Sequence, residues 1–315
     1  MRKLILFSLL FLWGSTYYAD WQKINGIDFS NINCIAELYG NVYLGSESGI
    51  YKSSDGGVNF ININNGLGEI SVKCITTLGE TIFIGTKDDG VFYSPNSGSS
   101  WLSVNSGLSF AEIVDIISID QTLFVSIKNQ GVYKSENNGL LWVQSNVGLT
   151  NYNVNKFLQI ENNIYCVTDS GGVYVSDKSN INWQAINFGL PSNYSVFDIT
   201  KSGNNLIIST QAGVFYSQNG GQFWIAANNG ITNSIAYKLL TVGDLVFLGT
   251  RNGSIYKSTD YGLNWTKVNQ TSYNIVKDIK YFLNKIYVCF ESYGILSSAN
   301  FGNTWTLNVL TTADI

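Results

Sequence analysis

Of the residue types that do chemistry near neutral pH, this chain offers carboxylates and little else. It has no histidine, which removes an imidazole base, a Ser-His-Asp triad and the commonest nitrogen ligand for a metal. Its four cysteines, Cys34, Cys74, Cys166 and Cys289, stand singly, so no paired C-x-x-C ligand set exists. P-loop, dinucleotide and EF-hand patterns are absent, and neither a cofactor nor a metal is expected. What remains is Asp88 with Asp89, the isolated acids Asp169 and Glu291, and Arg251, the one guanidinium outside the N-terminal segment. Two carboxylates flanking a glycosidic bond can hydrolyse it. Asp89-Gly90 is also a hairpin-turn dipeptide, which is the plainer use of the same residues. Arg251 can grip a carboxylate with two parallel N–H bonds.

A repeat positions these residues. Serines recur every 41 residues at Ser53, Ser94, Ser135, Ser176, Ser217 and Ser258, and once more after 40 at Ser298. Each opens a version of one phrase: SSDGGVNF, SPNSGSSW, SENNGLLW, SDKSNINW, SQNGGQFW, STDYGLNW and SANFGNTW. A period of 40 to 45 residues marks a propeller or a solenoid. Around each serine the pattern gives four short strands, as in CIAEL, VYLGS, GIYKS and, one repeat on, WLSVN, with apolar residues on both faces. The fold class is therefore all-β: a seven-bladed β-propeller of four-stranded antiparallel blades, with the serine phrase as the hairpin between strands three and four. The aromatic that starts strand four occurs eight times, at Trp21, Phe60, Trp101, Trp142, Trp183, Trp224, Trp265 and Trp305, one more than seven blades need. The Trp305 strand is expected in the last blade, with the Trp21 segment flanking it.

The serine phrase resembles the Asp-box (BNR-type) repeat, S-x-D-x-G-x-x-W, of sialidases, the sortilin ectodomain, two-propeller xyloglucanases and photosystem II assembly-factor propellers. The resemblance covers nearly all of residues 20–315. It implies structural roles for Ser53, Asp55, Asn96, Asn137, Asn219, Asp260 and Asn300, with the serine and the acid or amide bonding turn backbone and the tryptophan filling the gap between blades. Only Asp55 and Asp260 keep the aspartate. The fourth copy has Lys178 and Asn180 where aspartate and glycine belong, so an altered turn is expected there. The resemblance also puts the ligand face opposite these turns. A sialidase holds its substrate carboxylate with three arginines, which Arg251 alone cannot reproduce.

That opposite face would be built by the loops from strand two to strand three and by the connections between blades. They carry the candidate binding residues Asp88, Asp89, Tyr152, Asp169, Tyr194, Arg251, Tyr273 and Tyr293, beside Asn129, Asn252, Glu291 and Phe110. Aromatics set among Asn and Ser suit a protein interface or sugar stacking. The first reading is an exported, non-enzymatic propeller, a monomer that binds a protein partner or serves assembly, with no catalytic residue. The alternative is a glycan-binding or carbohydrate-active protein.

Composition narrows the partners. The chain has 315 residues, a formal net charge of -4 and 13% charged residues, with Arg2 and Arg251 its only arginines. Nucleic acid, which needs a basic footprint, is not expected. Arg2 and Lys3 precede the apolar run LILFSLLFLW and then small and polar residues ending at Ala19, the layout of a signal peptide over 1–19. The run is too short to span a bilayer, so no membrane span is expected and residues 20–315 form one exported propeller domain, in the periplasm, outside the cell or on its surface.

At one point of each innermost strand the repeat places Cys34, Cys74, Asp115, Lys156, Asp198, Lys238 and Asp278. From the third onward the charges alternate, which predicts ion pairs between blades near the axis. Cys34 and Cys74 occupy neighbouring blades and can be bridged if their Cα atoms come within about 7 Å; otherwise they are free thiols.

Overall fold

Strand two of each repeat is buried along nearly its whole length, because the sheet it belongs to is covered on both faces. A meander of this kind cannot bury itself alone, and seven of them pack radially. The structure, a computed structural model, describes residues 22–23, 31–109, 112–232, 235–270, 275–291 and 294–309. All regular structure in these residues is β. Blade one comprises Ile32–Leu38, Asn41–Ser46, Gly49–Ser53 and Ile61–Asn62, each paired antiparallel with the next. The innermost strands of the other blades are Val72–Leu78, Ile113–Ile119, Val154–Ile160, Val196–Ser202, Ala236–Val242 and Val276–Phe282.

Seven apolar clusters fill the spaces between neighbouring blades, one per interface, and the ring closes where Ile35 and Leu44 of blade one meet Tyr287 and Cys289 of blade seven. The tryptophans seal these spaces as the repeat implies. Trp101, Trp142, Trp183, Trp224 and Trp265 are buried, and each indole N–H donates to a carbonyl of the preceding blade, at Ile63, Val104, Ser145, Ile186 and Ala227, over 2.7–3.0 Å. Phe60 has no such donor, and the buried indole N–H of the partly buried Trp305 finds no acceptor among the described residues.

The serine turns are closed by their own side chains. In blade three the Ser135 hydroxyl donates to Asn137 Oδ1 (2.8 Å) and accepts the buried Gly139 N–H (2.9 Å), while Asn137 Oδ1 accepts the Leu141 N–H. Gly139 has φ +82°, a conformation that glycine adopts without strain. Asn96, Asn219 and Asn300 replace aspartate in the same way. Where aspartate is kept the carboxylate gains more bonds. The Asn59 N–H, the Ser53 hydroxyl and the Asn59 amide hold Asp55 well below the usual carboxylate range. Burial pushes Asp260 up, but hydrogen bonds from Asn264 and Ser258 outweigh it and leave that acid lowered too. The fourth copy departs from the pattern: strands Gly172–Asp177 and Asn180–Ala185 run into a tighter hairpin, and Lys178 instead reaches Asp120 (2.8 Å).

Blade seven has its fourth strand from Thr306–Val309, and Gln22–Lys23 adds outside it as a parallel fifth strand, the arrangement expected from the surplus aromatic. Trp21 itself lies outside the described residues.

Candidate functional site

The face opposite the serine turns is organised by one irregularity repeated seven times. In every innermost strand the pairing slips by one residue between its first and third positions, so Asn33, Lys73, Val114, Asn155, Phe197, Tyr237 and Lys277 are extra residues in the ladder. A bulge of this kind re-aims its side chain. All seven are half-buried, and all seven line one cavity of about 540 Å³ at the mouth of the central channel.

A second ring surrounds them. The first residue after strand two is Glu47, Lys87, Lys128, Asp169, Gln211, Arg251 or Glu291, and in each blade its N–H donates to the carbonyl just before that blade's innermost strand. Asn64, Asn105, Asn146, Asn187 and Asn228 brace the loops from behind. Each accepts the N–H of an early strand-three residue and donates its amide to a loop carbonyl.

Most charges of the mouth are matched in pairs. Lys73 meets Glu47, Lys128 meets Glu112 and Lys277 meets Glu291, each at 2.7 Å. Burial raises the Glu47 carboxyl, but bonds from Lys73, Ser71 and Asn33 prevail and lower it to about 2. Arg251 is held differently. Its Cζ lies 4.7 Å from the Phe197 ring centroid and 4.9 Å from that of Tyr237, in the angle between two rings that meet edge to face. The Asp169 carboxylate accepts the Ser195 hydroxyl on another side of the same cavity.

Below the mouth, a second cavity of about 280 Å³ is lined by Cys34, Cys74, Asp115, Lys156, Asp198, Lys238 and Asp278. The alternation of charge is only partly an ion-pair belt. Lys156 meets Asp115 at 2.8 Å, and although burial disfavours its charge, that acid raises it above the ordinary lysine value. The aspartates do something the alternation did not disclose: Asp115, Asp198 and Asp278 each accept a backbone N–H from the next blade, at Phe157, Leu239 and Ile35. Lys238 has no carboxylate within 4.0 Å among the described residues. Cys34 and Cys74 are free, buried thiols and form no bridge in this structure. Burial pushes both thiols far above their ordinary value.

Neither a protein-family profile nor a curated protein matches the chain. Among solved structures it is similar to the extracellular domain of BT4673 from B. thetaiotaomicron, with 17% identity over 89% of this chain and TM-score 0.73. It is also similar to YCF48 bound to D1 peptide (13% identity, 89% of this chain, 95% of that one, TM-score 0.71). A third is the GH74 xyloglucanase from Xanthomonas campestris (12% identity, 93% of this chain, TM-score 0.70). The chain is a seven-bladed β-propeller. It spans 40% of the BT4673 chain and 56% of the xyloglucanase, and at these identities the likeness shows the fold alone.

Of the residues expected to form the site, the propeller brings Asp169 and Arg251 into the mouth. Asp88 and Asp89 are exposed in the blade-two turn, where the Asp89 N–H bonds Thr86 Oγ1 (3.0 Å) and its carbonyl takes the Asn105 amide, as turn residues do. Tyr152 is exposed on the connection into blade four, and Tyr194 lines a separate cavity of about 250 Å³ between blades four and five, with Leu190, Pro191 and Phe215. Tyr273, Tyr293 and Phe110 lie outside the described residues. Phe197, Tyr237 and the other bulged residues escaped the sequence reading. Their one signal is position: each stands immediately before the residue of the charged ring.

Proposed function

We propose that this chain is an exported, non-enzymatic binding propeller whose working surface is the mouth face, and that it engages a protein partner there. Residues 1–19 act as the signal peptide and 20–315 as one monomeric domain, with the serine turns serving as Asp-box-type structural hairpins. The observation that carries the reading is the seven-fold bulge. It gathers side chains of unlike chemistry around one open cavity, while the turns of the other face spend their polar groups on themselves. The carboxylates of the mouth have local partners: Glu47 and Glu291 are held by lysines and Asp169 by a serine, an arrangement that suits a fixed surface better than acid–base turnover. The likeness to YCF48, whose structure contains a bound peptide, supports a protein-binding use of the fold.

The glycan reading draws on one specific feature, the side-chain amides of Asn33, Asn155 and Gln211 at the cavity wall, which match sugar hydroxyls, and on the likeness to a xyloglucanase. Cross-linking and pull-down from the native cell separates the two. A partner recovered with wild type and with Lys52→Ala, on the serine-turn side, but lost with an Arg251→Ala, Phe197→Ala double variant supports protein binding through the mouth. Equal recovery from all three overturns it. Hydrolysis of a polysaccharide panel that disappears in Asp169→Asn or Glu291→Gln overturns the non-enzymatic reading.

A further inference from the structure

Of the four cations that line the mouth cavity, Lys73 and Lys277 are ion-paired at the rim, while Arg251 and Lys238 make no close ion pair, Lys238 feeling Asp198 only at longer range. Among the described residues none lies within 4.0 Å of Arg251 or Lys238. The two flank a single side chain. Arg251 rests against the Tyr237 ring and Lys238 Nζ stands 5.1 Å from the centroid of the same ring, and both line the mouth cavity. We infer that this corner of the mouth is a receptor for one carboxylate group, taken by the N–H edge of Arg251 with Lys238 as the second cation.

The clamp is the reason. The five N–H donors of a guanidinium lie in its own plane, and among the described residues none of those of Arg251 donates a hydrogen bond or enters an ion pair. A free arginine would lose side-chain entropy on binding; here contact with the two rings already confines the group. Both rings come from consecutive bulges, in blades five and six, so the cradle is a product of the same irregularity that opens the cavity. A planar fork with its edge unused is matched by a carboxylate, which accepts two parallel bonds. Asp169, on the blade-four side, sets the rest of the ligand: a second negative group is repelled, while a hydroxyl, amide or amine is accommodated. The carboxylate can belong to a free small acid or to a partner's chain, and the chemistry at Arg251 is the same. The inference rests on the mouth being the working face.

The scarcity of arginine makes the test direct. With ¹⁵N-arginine labelling of the full chain only Arg2 and Arg251 give side-chain Nε–H signals, and Arg251→Gln identifies its own by loss. Two probe pairs are titrated: an acetylated dipeptide acid against its amide, and glucuronic acid against its methyl ester. A saturable shift of the Arg251 signal with one acid, at least tenfold weaker with its neutral counterpart, supports the receptor, and the acid that binds tells whether the carboxylate is peptide-borne or free. Phe197→Leu and Lys238→Gln keep the reporting arginine and are expected to weaken that acid about tenfold. Should neither acid shift the signal, or should the neutral compounds shift it equally, the inference falls. Partner loss in the mouth variants without any acid response leaves the protein-binding reading standing and removes only the carboxylate receptor; acid binding without partner loss does the opposite.

Discussion

The two ends of the propeller are made by the same strands and solve opposite problems. At the serine-turn end the side chains bond their own backbone: a hydroxyl, an acid or amide and a left-handed glycine leave little polarity unspent. At the mouth, equivalent positions of successive blades carry an amide, an ammonium, a branched alkyl group and two aromatic rings, and one guanidinium packs on the two rings with no ion pair among the described residues. Where a repeat is kept, it is being used for closure and packing. Where position is kept but residue type is not, the site is free to recognise something.

This contrast is sharpened most by the residues that seal the serine-turn end. Trp142→Ala removes a buried side chain and its bond to Val104, and is expected to cost about 3–5 kcal/mol in denaturant unfolding. A loss below about 1 kcal/mol would mean the indole is not the seal between blades two and three. Next comes the hydroxyl: Ser135→Ala leaves the buried Gly139 N–H without its acceptor, for about 1–3 kcal/mol. Ser176→Ala, in the degenerate copy, deprives only the partly buried Asn182 N–H and should cost less, and equal costs would show that the turn network is not what stabilises the copies.

The rim pairs should contribute a little at neutral pH and cease to contribute in acid. Glu47 is lowered from 4.5 to about 2, so the stability it contributes is present above pH 4.5 and is lost as pH falls toward 2. Glu47→Gln should therefore flatten the loss of stability in that window, while changing stability at pH 7 by about 0–1 kcal/mol, as an exposed pair does. An unchanged acid profile would place the titration elsewhere. The smallest effect is expected at the residue with the largest functional one: Arg251→Ala should alter unfolding by no more than about 0.5 kcal/mol while abolishing partner recovery. A large destabilisation there would break the division of labour between the two ends.

The period of the serines made the blades, the altered fourth turn and the extra outer strand legible, because each is written as a residue type at a fixed spacing. The mouth was legible only in outline. Arg251 stood out by rarity, but Phe197 lies 54 residues before it and was not connected to it by any pattern. A bulge adds one residue without a type of its own, so seven of them left no motif. The charged ring was found by position, yet its bonding went to backbone N–H groups, which no sequence of side chains displays.

The bulged position also bears on how such a protein can be rewritten. Among the described residues Asn33 and Asn155 donate a side-chain hydrogen bond to the next blade, to the Val72 and Val196 carbonyls, Lys73 pairs with Glu47 of the preceding blade, and the other four occupants make no side-chain hydrogen bond to a neighbouring blade. A library that randomises Lys73, Val114, Phe197, Tyr237 and Lys277 alone would vary the mouth as a set of interchangeable letters, leaving the tryptophan seals and serine turns of the scaffold in place.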